Sequence, residues 1–217
     1  MVTLISFPTT KNVECDFRVV RPRDTNRMEG RKTESQTFGT PYWTASYRLG
    51  ALSNVEQGLL RAFMMQAGDD GEVFAAYDAM RPRPVLMDTG KPLSGTKAGG
   101  GAFNGDAVLQ TIINALLITV SGLPAGFQLS PGDYVEIRKS PTVRSLHLIT
   151  AAATANPSGN CTFPIKYALD LQTFTLPCTV HFEKPSCTMQ IDPGSWQGPK
   201  SWASREPSFS ATEVFFS

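Results

Sequence analysis

A chain of 217 residues is long enough for one large domain or two small ones. With 41% hydrophobic and 18% charged residues it has the makeup of a globular protein, which excludes wholesale disorder. A net charge of +1 gives no whole-chain attraction to nucleic acid or an anionic membrane, and no apolar run of about eighteen residues offers a membrane-spanning helix.

Gly 18 and Pro 16 favour many short strands over a few long helices. Met1 to Pro8 has a short apolar stretch but no basic residue before it, a poor match to a signal peptide. The expected compartment of synthesis is therefore a reducing cytosol. Cys15, Cys161, Cys178 and Cys187 are expected as free thiols on strands.

Val2 to Phe7 and Cys15 to Val20 read as strands, the second with Phe17 and Val19 alternating against Arg18. Arg21 to Gly39 is polar, basic and nearly free of apolar residues, so it reads as a long exposed loop. Tyr42 to Leu49 is a strand that places Trp43, Ala45, Tyr47 and Leu49 on one face. Ser53 and Glu56 then form a capping box at the start of a helix. Its expected apolar stripe is Val55, Leu59, Phe63 and Ala67, with Leu60 and Met64 beside it and Gly68 past its end. This helix should lie across a sheet face.

Glu72 to Asp78 is a further strand, ended by Arg81-Pro82-Arg83-Pro84, where the prolines forbid a central strand. Thr89 to Gly105, with three consecutive glycines at 99 to 101, reads as a linker. Val108 to Ser121 is one or two strands, by its Ile, Val and Thr content. Leu129 to Asp133 is a turn into the strand Tyr134 to Arg138. Ser145–Thr150, Asn160–Ile165, Thr175–Phe182 and Cys187–Ile191 continue at the spacing of a small barrel or sandwich. Trp196 to Arg205 reads as loop. Ser208 to Phe216 is a last strand, with Phe209, Ala211 and Glu213 in alternation.

Chemistry-bearing patterns are sparse. Gly90-Lys91 resembles the end of a phosphate loop, but Pro92 follows where Ser or Thr must stand. Cys161, Cys178, His181 and Cys187 are four possible zinc ligands without a C-x-x-C pair, and half-buried thiols on strands explain them more simply. No G-x-S-x-G elbow is present, and His147 and His181 both fall in strands. No catalytic, cofactor or metal residue is assigned, and the expectation is a protein that is not an enzyme. The basic run Arg18, Arg21, Arg23, Arg27, Arg31 and Lys32 has no interleaved aromatic for base stacking. A solvated loop, or one that orders on a neighbouring subunit, fits it better than nucleic-acid readout.

Three groups of residues together resemble the distal tail (Dit-like) and minor tail proteins of long-tailed bacteriophages. The first is Tyr42-Trp43-Thr44-Ala45-Ser46-Tyr47 with the capped helix carrying Glu56, Leu60 and Ala62, then Gly71 to Asp78 and Arg81 to Pro84. The second is Leu129 to Tyr134, the turn Ala155 to Asn160, and Lys184-Pro185 to Met189. The third is Ser208 to Val214. The resemblance implies a mainly β protein: a tail-tube-like β-sandwich with one flanking helix, plus an inserted small β-barrel or β-sandwich. The ring domain would be residues 1–95 and 205–217, the inserted domain 104–198, and 96–103 and 199–204 the linkers. It further implies a hexameric ring joining the tail tube protein to hub, tape-measure or fibre proteins in the virion, assembled in the host cytoplasm without membrane insertion. An alternative is a peripheral tail protein whose inserted domain binds host-surface carbohydrate, with Trp196 and Trp202 as stacking candidates.

Overall fold

The computed structural model describes residues 4–8, 13–30, 32–67, 72–198 and 206–216. The protein is mainly β, with one α-helix and a closed six-stranded barrel. The expected helix cap at Gly68, the linker 199–204 and Trp202 lie outside the described residues.

Strand β1 (Leu4–Ser6) runs parallel to a later strand, and β2 (Val13–Val20) pairs along its whole length with β5 (Tyr42–Leu49). Between them, Arg21 to Gly39 is not an irregular loop. It is a two-stranded ribbon of β3 (Arg23–Arg27) and β4 (Thr33–Thr37), with all ten strand residues exposed. Neither face is buried, so the apolar alternation that marks a strand never develops. In β5 the expected alternation is present: Trp43, Ala45, Tyr47 and Leu49 are all buried.

Helix α1 (Asn54–Ala67) follows its capping box. The Ser53 N–H donates to Glu56 Oε2 at 2.9 Å, and the Glu56 N–H donates to Ser53 Oγ at 3.3 Å. Such a cap contributes about 1 kcal/mol. The buried stripe is Leu60, Phe63 and Ala67, while Val55 and Leu59 are exposed. Phe63 and Ala67 of the expected stripe are buried, with Leu60 beside them; only Val55 and Leu59 fall on the outer face, which is also apolar there. The inner stripe packs on the sheet through Phe63, whose ring meets Phe7 and Phe74 edge-on at 5.5 and 5.3 Å.

After β6 (Val73–Tyr77) the chain leaves the sheet. The segment expected as a linker contains a small hairpin, β7 (Gly95–Thr96) with β8 (Ala102–Phe103), and Leu93 and Phe103 are buried in the barrel core. Its glycines serve turns: Gly100 and Gly101 both have positive φ. The barrel comprises β9 (Asp106–Asn114), β10 (Leu117–Ser121), β12 (Tyr134–Arg138), β13 (Arg144–Ile149), β15 (Cys161–Lys166) and β16 (Thr179–His181). A small pair, β11 (Gln128–Leu129) with β14 (Ala153–Thr154), stands outside that ring. Val108 to Ser121 is therefore two strands, and Asn114 Oδ1 accepts the Leu116 N–H at 2.8 Å in the turn between them. Gly159 fixes another turn: it has φ +75°, and a Cβ there would lie 2.3 Å from the Leu123 carbonyl oxygen.

Strand β17 (Ser186–Ile191) differs from expectation. It was placed with the inserted domain, yet it pairs with β6 and with β18 (Ser208–Glu213). The sheet order is β1-β6-β17-β18-β5-β2, so the chain returns twice to the sheet it began. Strand alternation cannot reveal which sheet a strand joins, because both sheets ask for the same pattern. One face of the sheet carries Tyr47, Phe74, Phe209, Ala211 and Cys187 into a single core. Helix α1 covers part of that face, and barrel residues Tyr134, Leu146 and Leu148 cover another part.

Candidate functional site: the seam between sheet and barrel

Two chain segments cross between the sheet and the barrel side by side. The Lys184 N–H donates to the Pro82 carbonyl at 2.7 Å, and Arg83 Nε donates to Glu183 at 2.8 Å. Glu183 also accepts the Leu93 N–H at 2.9 Å, and Arg81 Nη1 donates to the Gly132 carbonyl at 2.6 Å. Buried Asp133 accepts backbone N–H groups from Val85 at 3.1 Å and Ser130 at 2.7 Å. The prolines at 82 and 84 that exclude a strand leave this strap's arginines available for anchoring.

Beneath the strap lies a buried ion cluster. Glu136 is fully buried, with Arg138 Nε at 2.6 Å and Arg144 Nη1 at 3.3 Å. The Ser186 N–H and hydroxyl both donate to it, at 2.9 and 3.0 Å. One carboxylate on the barrel is thus bonded to the first residue of β17 in the sheet. Burial lowers the Arg144 pKa, opposed by the neighbouring Glu136 charge.

Farther along the seam, a cleft of about 910 Å³ is lined by Trp43, Ser145, His147, Tyr167, Asp170 and Glu213 among others. It opens where β13 parts from β15, since those strands pair only through Leu148 and Ile149. His147 Nδ1 lies 2.9 Å from the Tyr167 carbonyl, and Nε2 lies 2.9 Å from Ser145 Oγ. A carbonyl can only accept, so Nδ1 carries the proton and neutral His147 accepts from Ser145 at Nε2. Burial pushes the His147 pKa down to about 4, against the Tyr167 bond that raises it. An imidazole that weakly basic is a poor proton acceptor at neutral pH. The pair satisfies its own polar atoms and makes no third charged contact among the described residues. Burial moves Glu213 the other way, up to about 7, against the Trp43 N–H it accepts at 2.8 Å.

A second hollow of about 450 Å³ adjoins this cleft and shares Trp43, Lys166 and Tyr167 with it. Arg18, Arg21 and Lys166 stand around it over Phe17, Tyr134 and Leu148. Residues meeting there are far apart in the chain, Arg21 and Tyr167 by 146 positions, so no local sequence pattern announces them.

The candidates singled out in the sequence are dispersed. Cys161 and Cys178 are in the barrel core, Cys187 is in the sheet core, and His181 pairs with Asp106. Among the described residues no group of three or more His, Cys, Asp and Glu could hold a metal. Trp196 is not on the barrel. It lies against Gly198 beside α1, in a hollow of about 460 Å³ with Gln57 and Arg61. Among the described residues no helix is long and apolar enough to cross a membrane. Neither a family model nor any curated protein matches the chain.

Proposed function

We propose that this chain is a structural subunit of a phage tail tip that forms a ring, hexameric by the resemblance, between the tail tube and hub, tape-measure or fibre proteins of the virion. The observation that carries this reading is the ribbon of β3 and β4. All ten of its strand residues are exposed, and it extends from β2 and β5 at one edge of the sheet. Ordering each residue costs about 1–2 kcal/mol in backbone entropy, whereas an exposed cross-strand pair returns about 0.2–1 kcal/mol. An isolated two-stranded ribbon is therefore marginal alone and is stabilised by burial against a partner.

Further support comes from unpartnered surfaces. Among the described residues the sheet's edge strands β1 and β2 have an unpaired side, which a neighbouring strand can join. Val55, Leu59 and Met65 leave α1 with an exposed apolar outer face. β1 and β2 stand at opposite edges of the sheet, as heterologous ring contacts require. The test replaces residues 23–37 by a two-residue Asn-Gly turn and compares oligomeric mass by native mass spectrometry. The expected outcome is an unchanged monomer fold and loss of ring formation. A ring that assembles normally without the ribbon contradicts the proposal.

A further inference from the structure

The ribbon of β3 and β4 divides its residues between two faces of different chemistry. Side chains alternate along each strand, and residues directly opposite each other share a face. The register pairs Arg23 with Thr37, Thr25 with Ser35 and Arg27 with Thr33. One face thus carries two arginines among four hydroxyl side chains. Asp24 with Gln36 and Asn26 with Glu34 make up the other face, which carries two carboxylates and two amides. A single hairpin is therefore cationic on one side and anionic on the other.

All ten residues are exposed, so neither face is covered by its own subunit. Arg23, Asp24, Arg27 and Glu34 form no salt bridge among the described residues. Opposite charges facing each other across a ribbon stabilise it. Here no such pair forms, because the opposite charges stand on opposite faces. Their attraction is realised only against a second surface of the other sign.

Each face of the ribbon has that surface on the ribbon of another copy. Guanidinium forks of the cationic face suit the carboxylates of the anionic one, and its hydroxyls suit the amides. The sign pattern also sets the symmetry of the contact. A two-fold stack lays a face on its own copy, arginine against arginine or carboxylate against carboxylate, and like charges repel. A head-to-tail stack joins opposite signs at every step and uses both faces of each ribbon, one for each neighbour.

We propose that the ribbons of successive copies of this chain stack face to face. The Arg23 and Arg27 side of one meets the Asp24 and Glu34 side of the next. This rests on the reading of the chain as a ring subunit, and it names the contact between neighbours and its direction.

The test is sedimentation velocity on the intact chain and on two double variants. Arg23→Glu with Arg27→Glu makes both faces acidic, and Asp24→Lys with Glu34→Lys makes both basic. All four side chains are exposed, so both variants keep the wild-type melting temperature. The wild type is expected to self-associate, less so as salt rises, and each variant alone about tenfold or more weakly. An equimolar mixture of the two variants is expected to recover association to within a few-fold of wild type, a rescue that misfolded chains cannot give. Variants that associate as wild type does, or a mixture that associates no better than its parts, overturn this contact and leave the ring reading standing. A wild-type chain that stays monomeric from micromolar to millimolar concentration overturns both.

Discussion

Trp43, on the sheet, donates its indole N–H to the backbone carbonyl of Leu146, on the barrel, at 2.9 Å. Leu146 lies just beyond the short ladder that joins β13 to β15, so this bond caps the barrel wall where it opens. The same ring packs against Phe17 at 5.4 Å and Tyr134 at 5.7 Å, which ties three elements at one point. Trp43→Phe keeps most of the packing and removes the donor. Leaving a buried carbonyl unsatisfied costs about 1–3 kcal/mol, and truncation to Ala costs about 3–5 kcal/mol. Urea midpoints should follow that order, wild type above Phe above Ala. Equal midpoints for wild type and Phe would show that the bond contributes nothing.

Glu136 bonds the barrel to Ser186 while neutralising Arg138 and Arg144. Removing one partner of a buried ion pair leaves the other charge uncompensated, at about 3–5 kcal/mol. Glu136→Gln is therefore expected to lower stability by roughly that amount, since Arg144 is only 8% exposed. The double variant Glu136→Leu with Arg144→Met removes both charges and should recover a large part of the loss. A double-mutant cycle by chemical denaturation measures the coupling directly. Additive losses would rule out the pairing as the source of the effect.

What the sequence disclosed follows from how far apart the interacting residues lie. The Ser53–Glu56 cap and the alternation in β5 are local, so both were legible. Glu213 also fell into the buried phase of its strand, which marked a carboxylate facing inward. The ribbon hid because exposed strands lack alternation. Half of the helix stripe, Phe63 and Ala67, was legible, while Val55 and Leu59 misled because the outer face of α1 is apolar as well. The placement of β17 depends on pairing with residues 73–77 and 208–213, which no local window contains. Ser145 and His147 share a strand face by period two, a signal present in the sequence but given no weight there. The Arg21, Lys166 and Tyr167 cluster had no such signal.

The cysteines should be inert toward thiol reagents in the folded protein. Burial pushes Cys15 up to about 12 and Cys161 to about 11, and raises Cys178 and Cys187 as well. Since the thiolate is the reactive form, little is present at pH 8. Ellman's reagent should release under one equivalent of thiol from the native chain within minutes, and all four free thiols in guanidinium. Rapid native labelling of Cys187, which is fully buried, would mean that the sheet core opens readily.

Glu213 and His147 line the same cleft and should pull stability in opposite directions as pH changes. Glu213 rises from 4.5 to about 7 on folding, so the folded state holds its proton longer. Its contribution is fully present below pH 4.5 and is lost as pH rises toward 7. His147 falls from 6.5 to about 4, so the unfolded state takes its proton first. That contribution is fully present above pH 6.5 and is lost as pH falls toward 4. Each gap is worth roughly 3 kcal/mol, and the two nearly cancel where they overlap, between 4.5 and 6.5. In the wild type these two slopes therefore offset each other across this window, leaving an upward slope from His181, whose pKa burial also lowers. Glu213→Gln still accepts the Trp43 N–H but no longer titrates, so its stability should climb with pH. His147→Gln should decline with pH over the same range. Urea midpoints at four or five pH values test this, and two variants with the same sign of slope would refute the pairing of opposed burial effects.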